Sequence, residues 1–126
     1  GGGGPRAAGR GGRAAARADA GRRRGVGECE LVLLGLGEDG HTASLFPNHE
    51  WGTAPDAPDV LAVLDAPKPP PQRVSLSAAR LSRAREVLFL VAGDSKREPI
   101  ARWRAGEQLP AAAIRPAAGV DVLIST

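Results

Sequence analysis

Apolar residues in this chain are gathered into five short runs, which follow a long stretch that contains almost none of the larger ones. Each run is five or six residues long and contains valine, leucine or isoleucine, which is typical of short β-strands. We therefore predict five strands, at residues 30–34, 60–64, 73–77, 87–92 and 120–124.

Three segments between these runs predict helices. A short helix is expected at residues 42–45 and another at 78–83. A longer one is expected to begin at Asp94 or Ser95, either of which can cap a helix, and to end near Arg104. Trp103 lies on this last helix and is expected to pack it against a sheet. Strands that alternate with helices are typical of an α/β domain, which is the fold class that we predict.

The first 27 residues differ in composition from the rest of the chain. Residues 1–24 consist of Gly, Ala, Pro, Arg and a single acid, Asp19, and their net charge is +6, against −3 for the remainder. So few apolar side chains cannot offset the chain entropy lost on folding. We therefore predict a disordered leader at 1–27 and a domain at 28–126. An arginine-rich leader can bind RNA, but this one offers no aromatic side chain for base stacking, so we favour a segment without that role.

Cysteine and histidine usage argues against a disulfide or a metal site. Cys29 is the single cysteine, which excludes an internal disulfide and a cysteine-based zinc site. His41 and His49, with scattered acids, do not have the spacing of metal ligands, so no metal is predicted. No run of residues is long and apolar enough for a signal-peptide core or a membrane span.

The most informative segment follows the first predicted strand. Residues 35–47 read Gly-Leu-Gly-Glu-Asp-Gly-His-Thr-Ala-Ser-Leu-Phe-Pro. The glycines permit a tight turn at the carboxyl end of the strand, which is the edge where open α/β sheets bind ligands. Asp39 and His41 would be displayed on that turn. A carboxylate beside an imidazole there can carry out acid–base chemistry near neutral pH.

The three glycines of this segment also match G-x-G-x-x-G, the fingerprint of dinucleotide sites. We reject a dinucleotide site because Glu38 and Asp39 would place two negative charges where a pyrophosphate should lie. In addition, Pro47 follows too soon for the helix whose N-terminus should bind that pyrophosphate. A lone histidine is more often structural than catalytic, but the acids and hydroxyls around His41 favour a functional one.

The segment resembles the signature of the 6-phosphogluconolactonases, a branch of the glucosamine-6-phosphate deaminase/6-phosphogluconolactonase superfamily. The resemblance holds at essentially every position from 35 to 47. The deaminases share the Asp-Gly-His core but continue with Asn-Glu-Pro, whose glutamate assists their reaction. Leu45, Phe46 and Pro47 stand at those positions here. The resemblance therefore favours the lactonase branch, with a sugar-phosphate isomerase or deaminase as the alternative.

Two later segments extend the resemblance, which covers about residues 29–126. Residues 71–77 resemble the family strand whose arginine binds the substrate phosphate, which corresponds to Arg73. Residues 86–96 resemble the strand–Gly-x-x-Lys element, whose lysine is a second phosphate ligand and corresponds to Lys96. The fold implied is a partial Rossmann-like parallel-sheet domain, the C-terminal half of the lactonase fold.

The resemblance also implies a reaction and a set of residue roles. The reaction is hydrolysis of 6-phospho-D-glucono-1,5-lactone, a step of the oxidative pentose phosphate pathway, in the cytoplasm and without a cofactor. His41 would be the general base that activates water, and Asp39 would orient it. The turn amides near Gly37 and Gly40 would help to hold the substrate. The partner implied is thus a small sugar-phosphate lactone, and neither nucleic acid nor a membrane.

Members of the resembled family are roughly twice as long as the predicted domain at 28–126. We therefore expect the N-terminal half of the fold to be missing and the isolated chain to have little or no activity. A non-enzymatic alternative is a fragment whose basic leader binds RNA in a salt-dependent manner.

Overall fold

The structure is a computed structural model that describes residues 6–7 and 31–125. Its strands are β1 (Arg6–Ala7), β2 (Leu31–Leu34), β3 (Val60–Val63), β4 (Arg73–Leu76), β5 (Glu86–Ala92) and β6 (Val120–Ser125). Its α-helices are α1 (Ala78–Leu81) and α2 (Arg97–Arg104), and 3-10 helices span Asp94–Lys96 and Pro110–Ala113. Each of the five predicted strands is confirmed to within one residue at either end.

The strands form two sheets. A four-stranded parallel sheet has the order β1-β6-β5-β2, with Leu31 paired to Glu86 and Val87 paired to Val120. β3 and β4 form a separate antiparallel pair. Because parallel strands run in the same direction, the loops that follow β2 and β5 leave the main sheet at the same edge. This edge therefore receives both the glycine-rich segment and the segment that carries Lys96.

One face of the main sheet is packed into the core. Val87, Phe89 and Val91 alternate along β5 and are buried, whereas Leu90, between them, is 46% exposed. Trp103 of α2 meets Phe89 edge-on, with ring centroids 4.9 Å apart. The expectation that Trp103 packs its helix on the sheet is confirmed. The predicted α/β class with a parallel sheet is confirmed as well.

The short helix predicted at 42–45 is wrong. Thr42 and Leu45 instead form an isolated antiparallel bridge around a tight turn, in which the Leu45 amide donates to the Thr42 carbonyl at 2.9 Å. Ala43 within this turn has a φ of 51°, outside the right-handed helical region. The Thr42 hydroxyl donates to the carbonyl of Gly35 at 2.8 Å, which fixes the turn against the preceding loop.

The predicted cap at Asp94 or Ser95 is also wrong. These residues belong to the 3-10 helix, and α2 begins after Lys96 without a side-chain cap. The preceding Gly93 has a φ of 99°, so the chain turns sharply as it leaves β5. Lys96 therefore lies at the junction of two helical segments, directed back towards the edge of the sheet.

Arg6 and Ala7 lie within the segment predicted to be a disordered leader, yet they form β1 and pair in parallel with Asp121 and Val122. Residues 1–5 and 8–30, which include Cys29 and the predicted boundary at 27, lie outside the described residues. The extent of the leader stays a prediction. Among the described residues, no helix is both long and apolar enough to cross a bilayer.

Candidate active site

The glycine-rich segment folds into a compact turn directly after β2. The Gly37 amide donates to the His41 carbonyl at 2.8 Å, and the Gly40 amide donates to the Gly37 carbonyl at 2.9 Å. Gly40 has a φ of 88°, which disfavours any residue with a side chain. Both amide hydrogens are used within the turn, so these two glycines shape the site. This geometry does not support the expectation that their amides hold the substrate, which stays a prediction.

Gly37 is needed for a second reason, which is the position of the His41 ring. A Cβ atom added to Gly37 would lie 2.1 Å from both Cε1 and Nδ1 of His41. No side chain fits between the turn and the imidazole. The absence of a side chain at this glycine therefore leaves room for the His41 ring beside the backbone of its own turn.

Asp39 and His41 form the predicted pair. The Asp39 Oδ1 atom lies 2.6 Å from Nδ1 of His41 and also accepts the His41 backbone amide at 3.0 Å. Partial burial raises the pKa of the Asp39 carboxyl, but the hydrogen bonds from the His41 ring and amide outweigh this effect, and the pKa lies below its ordinary value. The carboxylate thus stays ionised and fixes the orientation of the ring.

Phe46 packs against the imidazole of His41. Its ring is fully buried, and its centroid lies 4.7 Å from that of His41, with the two planes tilted by 38°. The His41 side chain remains 19% exposed. By the resemblance, Phe46 stands at the position of the deaminase glutamate, which would place an apolar ring where that branch has a carboxylate.

Lys96 reaches the same turn from the neighbouring strand. Its Nζ atom donates to the Leu36 carbonyl at 2.5 Å, across a sequence separation of 60 residues. A cleft of about 360 Å³ opens beside this contact, and it is lined by Leu36, Glu38, His41, Thr42, Lys68 and Lys96 among others. The structure therefore brings three of the predicted site residues, Gly37, His41 and Lys96, into one cleft.

Arg73 does not line this cleft. Its Nε atom donates to the Pro70 carbonyl at 2.9 Å, and Nη2 donates to the carbonyls of Lys68 and Pro69 at 2.8 and 3.0 Å. The Nη1 atom is 3.5 Å from the Ser44 hydroxyl, a long contact that leaves this end of the guanidinium available. Arg73 thus holds a neighbouring loop, and a role in phosphate binding is left to Nη1.

Lys68 is a charged residue of the cleft that the sequence analysis does not single out. The chain contains two lysines among seventeen basic residues, and both of them line the cleft. Because Lys68 and Lys96 lie far apart in the sequence, their meeting in one cleft becomes visible only in the structure.

The described part of the chain contains no cluster of metal-ligating side chains. Residues 6–7 and 31–125 contain no group of three His, Cys, Asp or Glu side chains arranged to hold a metal ion.

Comparison with known proteins identifies the family. The family model of the glucosamine-6-phosphate isomerases/6-phosphogluconolactonase matches residues 7–123. The chain belongs to this family. The match begins at residue 7 and so includes most of the predicted leader, where no motif is visible by eye. Within the family, the 6-phosphogluconolactonase of Bos taurus is 41% identical over 93 residues, which are 71% of this chain and 36% of that protein.

Solved structures of the family agree with the fold. The 6-phosphogluconolactonase from Thermotoga maritima superimposes with a TM-score of 0.73 at 28% identity, over 86% of this chain and 48% of that one. The enzyme from Trypanosoma brucei gives a TM-score of 0.61 at 32% identity, over 78% and 40%. The chain thus spans between a third and a half of the length of these relatives, and the predicted partial fold is confirmed.

The lowered pKa of Asp39 predicts a pH dependence of stability. A carboxyl whose pKa is depressed in the folded chain stabilises the fold at pH values above its pKa in the unfolded chain, near 3.8. This contribution is lost as the pH falls through the lower pKa of the folded chain. The difference in free energy of unfolding between the parent and Asp39→Asn is therefore expected to shrink below about pH 4. Denaturant titrations from pH 7 to pH 2.5 measure it. The exposed Asp56→Asn is the control, and a constant difference for Asp39→Asn would contradict the assignment.

Proposed function

We propose that this chain carries the acid–base half of a 6-phosphogluconolactonase, a carboxylic ester hydrolase that converts 6-phospho-D-glucono-1,5-lactone to 6-phosphogluconate. The observation that carries the proposal is the 2.6 Å contact between Asp39 and His41 at the edge of a cleft with two lysines. Membership of the family supports the substrate class. A cytoplasmic location, which the resemblance also implied, stays a prediction.

The hydrogen bond to Asp39 determines which nitrogen of His41 acts. With a proton on Nδ1 directed to the ionised carboxylate, Nε2 carries the free lone pair. Nε2 then takes a proton from a water molecule as the water oxygen attacks the lactone carbonyl. The tetrahedral intermediate collapses with cleavage of the bond to the ring oxygen. The protonated imidazole returns its proton to that oxygen, so the step is balanced without a cofactor.

The phosphate end of the substrate supplies the binding energy that positions the lactone. Lys96 is the proposed ligand inside the cleft, and Nη1 of Arg73 is proposed to contribute from its rim. An ammonium and a guanidinium group both donate charge-assisted hydrogen bonds, which suit a phosphate. Interactions remote from the reacting bond accelerate the reaction by holding the carbonyl next to His41.

Phe46 argues against the deaminase alternative. A deaminase of this superfamily, by the resemblance, uses a glutamate at the place that Phe46 fills, and Phe46 is fully buried against the His41 ring. No carboxylate can act from that position. The RNA-binding alternative concerns residues outside the described part of the chain and stays a prediction.

Lactone hydrolysis and ammonia release separate the two branches. Purified chain is expected to accelerate hydrolysis of 6-phosphogluconolactone above the spontaneous rate and to release no ammonia from glucosamine 6-phosphate. Because the chain spans less than half of the length of these relatives, we expect slow turnover. Ammonia release would favour the deaminase. Absence of both lactone turnover and 6-phosphogluconate binding would overturn the proposal.

A further inference from the structure

We propose that Lys68 is a further ligand of the substrate phosphate, and that Arg73 is the residue that positions it. The inference rests on the proposed function, because it assumes that the cleft receives a phosphorylated sugar acid. It assigns a binding role to a residue of the loop between the two antiparallel strands, β3 and β4. It also gives Arg73 a task distinct from direct phosphate contact.

Lys68 and Lys96 reach the cleft from different parts of the fold. Lys96 follows the central strand β5, whereas Lys68 lies in the loop that precedes β4. Lys96 is half-buried and donates to the Leu36 carbonyl. Lys68 is exposed, and its ammonium group makes no hydrogen bond or ion pair with the residues described at 31–125. A ligand that enters the cleft therefore meets one fixed ammonium group and one that is free to bind.

The loop that carries Lys68 is held in a defined shape. Arg73 donates three hydrogen bonds to successive carbonyls, those of Lys68, Pro69 and Pro70. The Ala66 amide donates to the Pro71 carbonyl at 2.9 Å and closes the loop at its base. Prolines have no amide hydrogen, so this loop has few backbone donors of its own. The planar guanidinium of Arg73 supplies donors to the loop carbonyls instead, and it fixes the backbone from which Lys68 projects.

The same arginine connects this loop to the catalytic turn. Its guanidinium carbon lies 5.4 Å from the centroid of Phe46, over the face of the ring. Phe46 in turn packs against His41 at 4.7 Å. A chain of direct contacts thus runs from the imidazole through Phe46 and Arg73 to the backbone of Lys68. The position of Lys68 is set relative to His41, as a ligand of the same substrate molecule requires.

Charge in the cleft is consistent with an anionic ligand. Lys68 and Lys96 contribute two positive charges, and Glu38 contributes one negative charge at the turn. These formal charges sum to +1, so the cleft favours an anionic ligand such as a phosphate over a neutral or cationic one. Lysine is well suited to this contact, because its three donors rotate on a flexible stem and bind phosphate as a point charge.

The test is the selectivity of binding for 6-phosphogluconate over gluconate, which differ only in the phosphate. Isothermal titration with both ligands gives the selectivity ratio, which is the Kd for gluconate divided by the Kd for 6-phosphogluconate. Lys68→Gln is expected to lower this ratio about tenfold, the effect of one hydrogen bond to a charged group. Lys68→Arg, which keeps the charge, is expected to restore most of it. Arg104→Gln removes an exposed positive charge that does not line the cleft and is expected to leave the ratio unchanged.

Arg73→Lys tests the positioning role, because it keeps the charge but cannot donate to three carbonyls. If Arg73 acts mainly through Lys68, then Arg73→Lys lowers the ratio much more in the parent chain than in Lys68→Gln, where only the direct contribution of Nη1 is left to lose. A parent ratio that is high and unchanged in Lys68→Gln overturns the inference and leaves the proposed function intact. A parent chain that binds both ligands equally overturns the proposed function itself, and the inference with it.

Discussion

Replacement of His41 by Gln is expected to bring lactone hydrolysis down to the spontaneous rate. Glutamine approximates the size of the ring but cannot accept and return a proton near neutral pH. General-base catalysis by a positioned side chain contributes roughly a hundred- to ten-thousandfold, so the loss should exceed any other single change at this site. The measurement is the initial rate of 6-phosphogluconolactone hydrolysis by each purified variant, corrected for hydrolysis without protein.

The chain offers a matched control in its second histidine. His49 lies near the buried Phe46 ring at 5.8 Å between centroids, but outside the cleft. His49→Gln is expected to keep the parental rate within about threefold, since its imidazole has no part in the proposed proton transfer. Thermal unfolding of both variants checks that each one folds. Equal losses in the two variants, or parental turnover in His41→Gln, would contradict the proposed mechanism.

The second large effect is expected from Gly37→Ala. The added methyl group would lie 2.1 Å from two atoms of the His41 ring, so the ring must rotate away. Rotation breaks the 2.6 Å contact with Asp39 and misdirects Nε2. We expect a loss of lactone turnover on the order of a hundredfold. Stability should fall only by the contribution of the Asp39–His41 contact, because a partly exposed side chain can move without disturbing the core.

Gly35→Ala is the control for this substitution. It changes glycine to alanine in the same loop, but an added Cβ at Gly35 meets nothing within 4 Å, and its φ is not in the left-handed region. Turnover within about threefold of the parent is expected, since the imidazole keeps its position. If Gly35→Ala and Gly37→Ala lost activity equally, backbone flexibility and not contact with His41 would be the cause.

The sequence predicted the strands well because short apolar runs bounded by glycine and proline have few other structures available. β5 is the clearest case, with valine and phenylalanine alternating on its buried face. The helix predicted at 42–45 failed for a local reason. The Thr42 hydroxyl binds the Gly35 carbonyl, and this contact, which depends on how the chain folds back after β2, is not visible in the spacing of residues.

The candidate site could be predicted only in part. Asp39 and His41 are two residues apart, so their contact followed from the turn that contains them. Lys96 was placed by the resemblance and lies in the cleft. Lys68 and the carbonyl contacts of Arg73 depend on the conformation of a proline-rich loop, which residue spacing does not determine. The structure of that loop adds Lys68 to the proposed phosphate ligands and shows that Arg73 binds loop carbonyls.

The most direct test of the central claim, that His41 and the two lysines share one ligand site, is an NMR titration of the imidazole resonances with 6-phosphogluconate. The chain has two histidines, so the ring signals can be assigned by comparison with His49→Gln. The account predicts a saturable shift of the His41 signals, with those of His49 unchanged, and a much weaker response to gluconate. Stationary His41 signals, or equal shifts with both ligands, would contradict it.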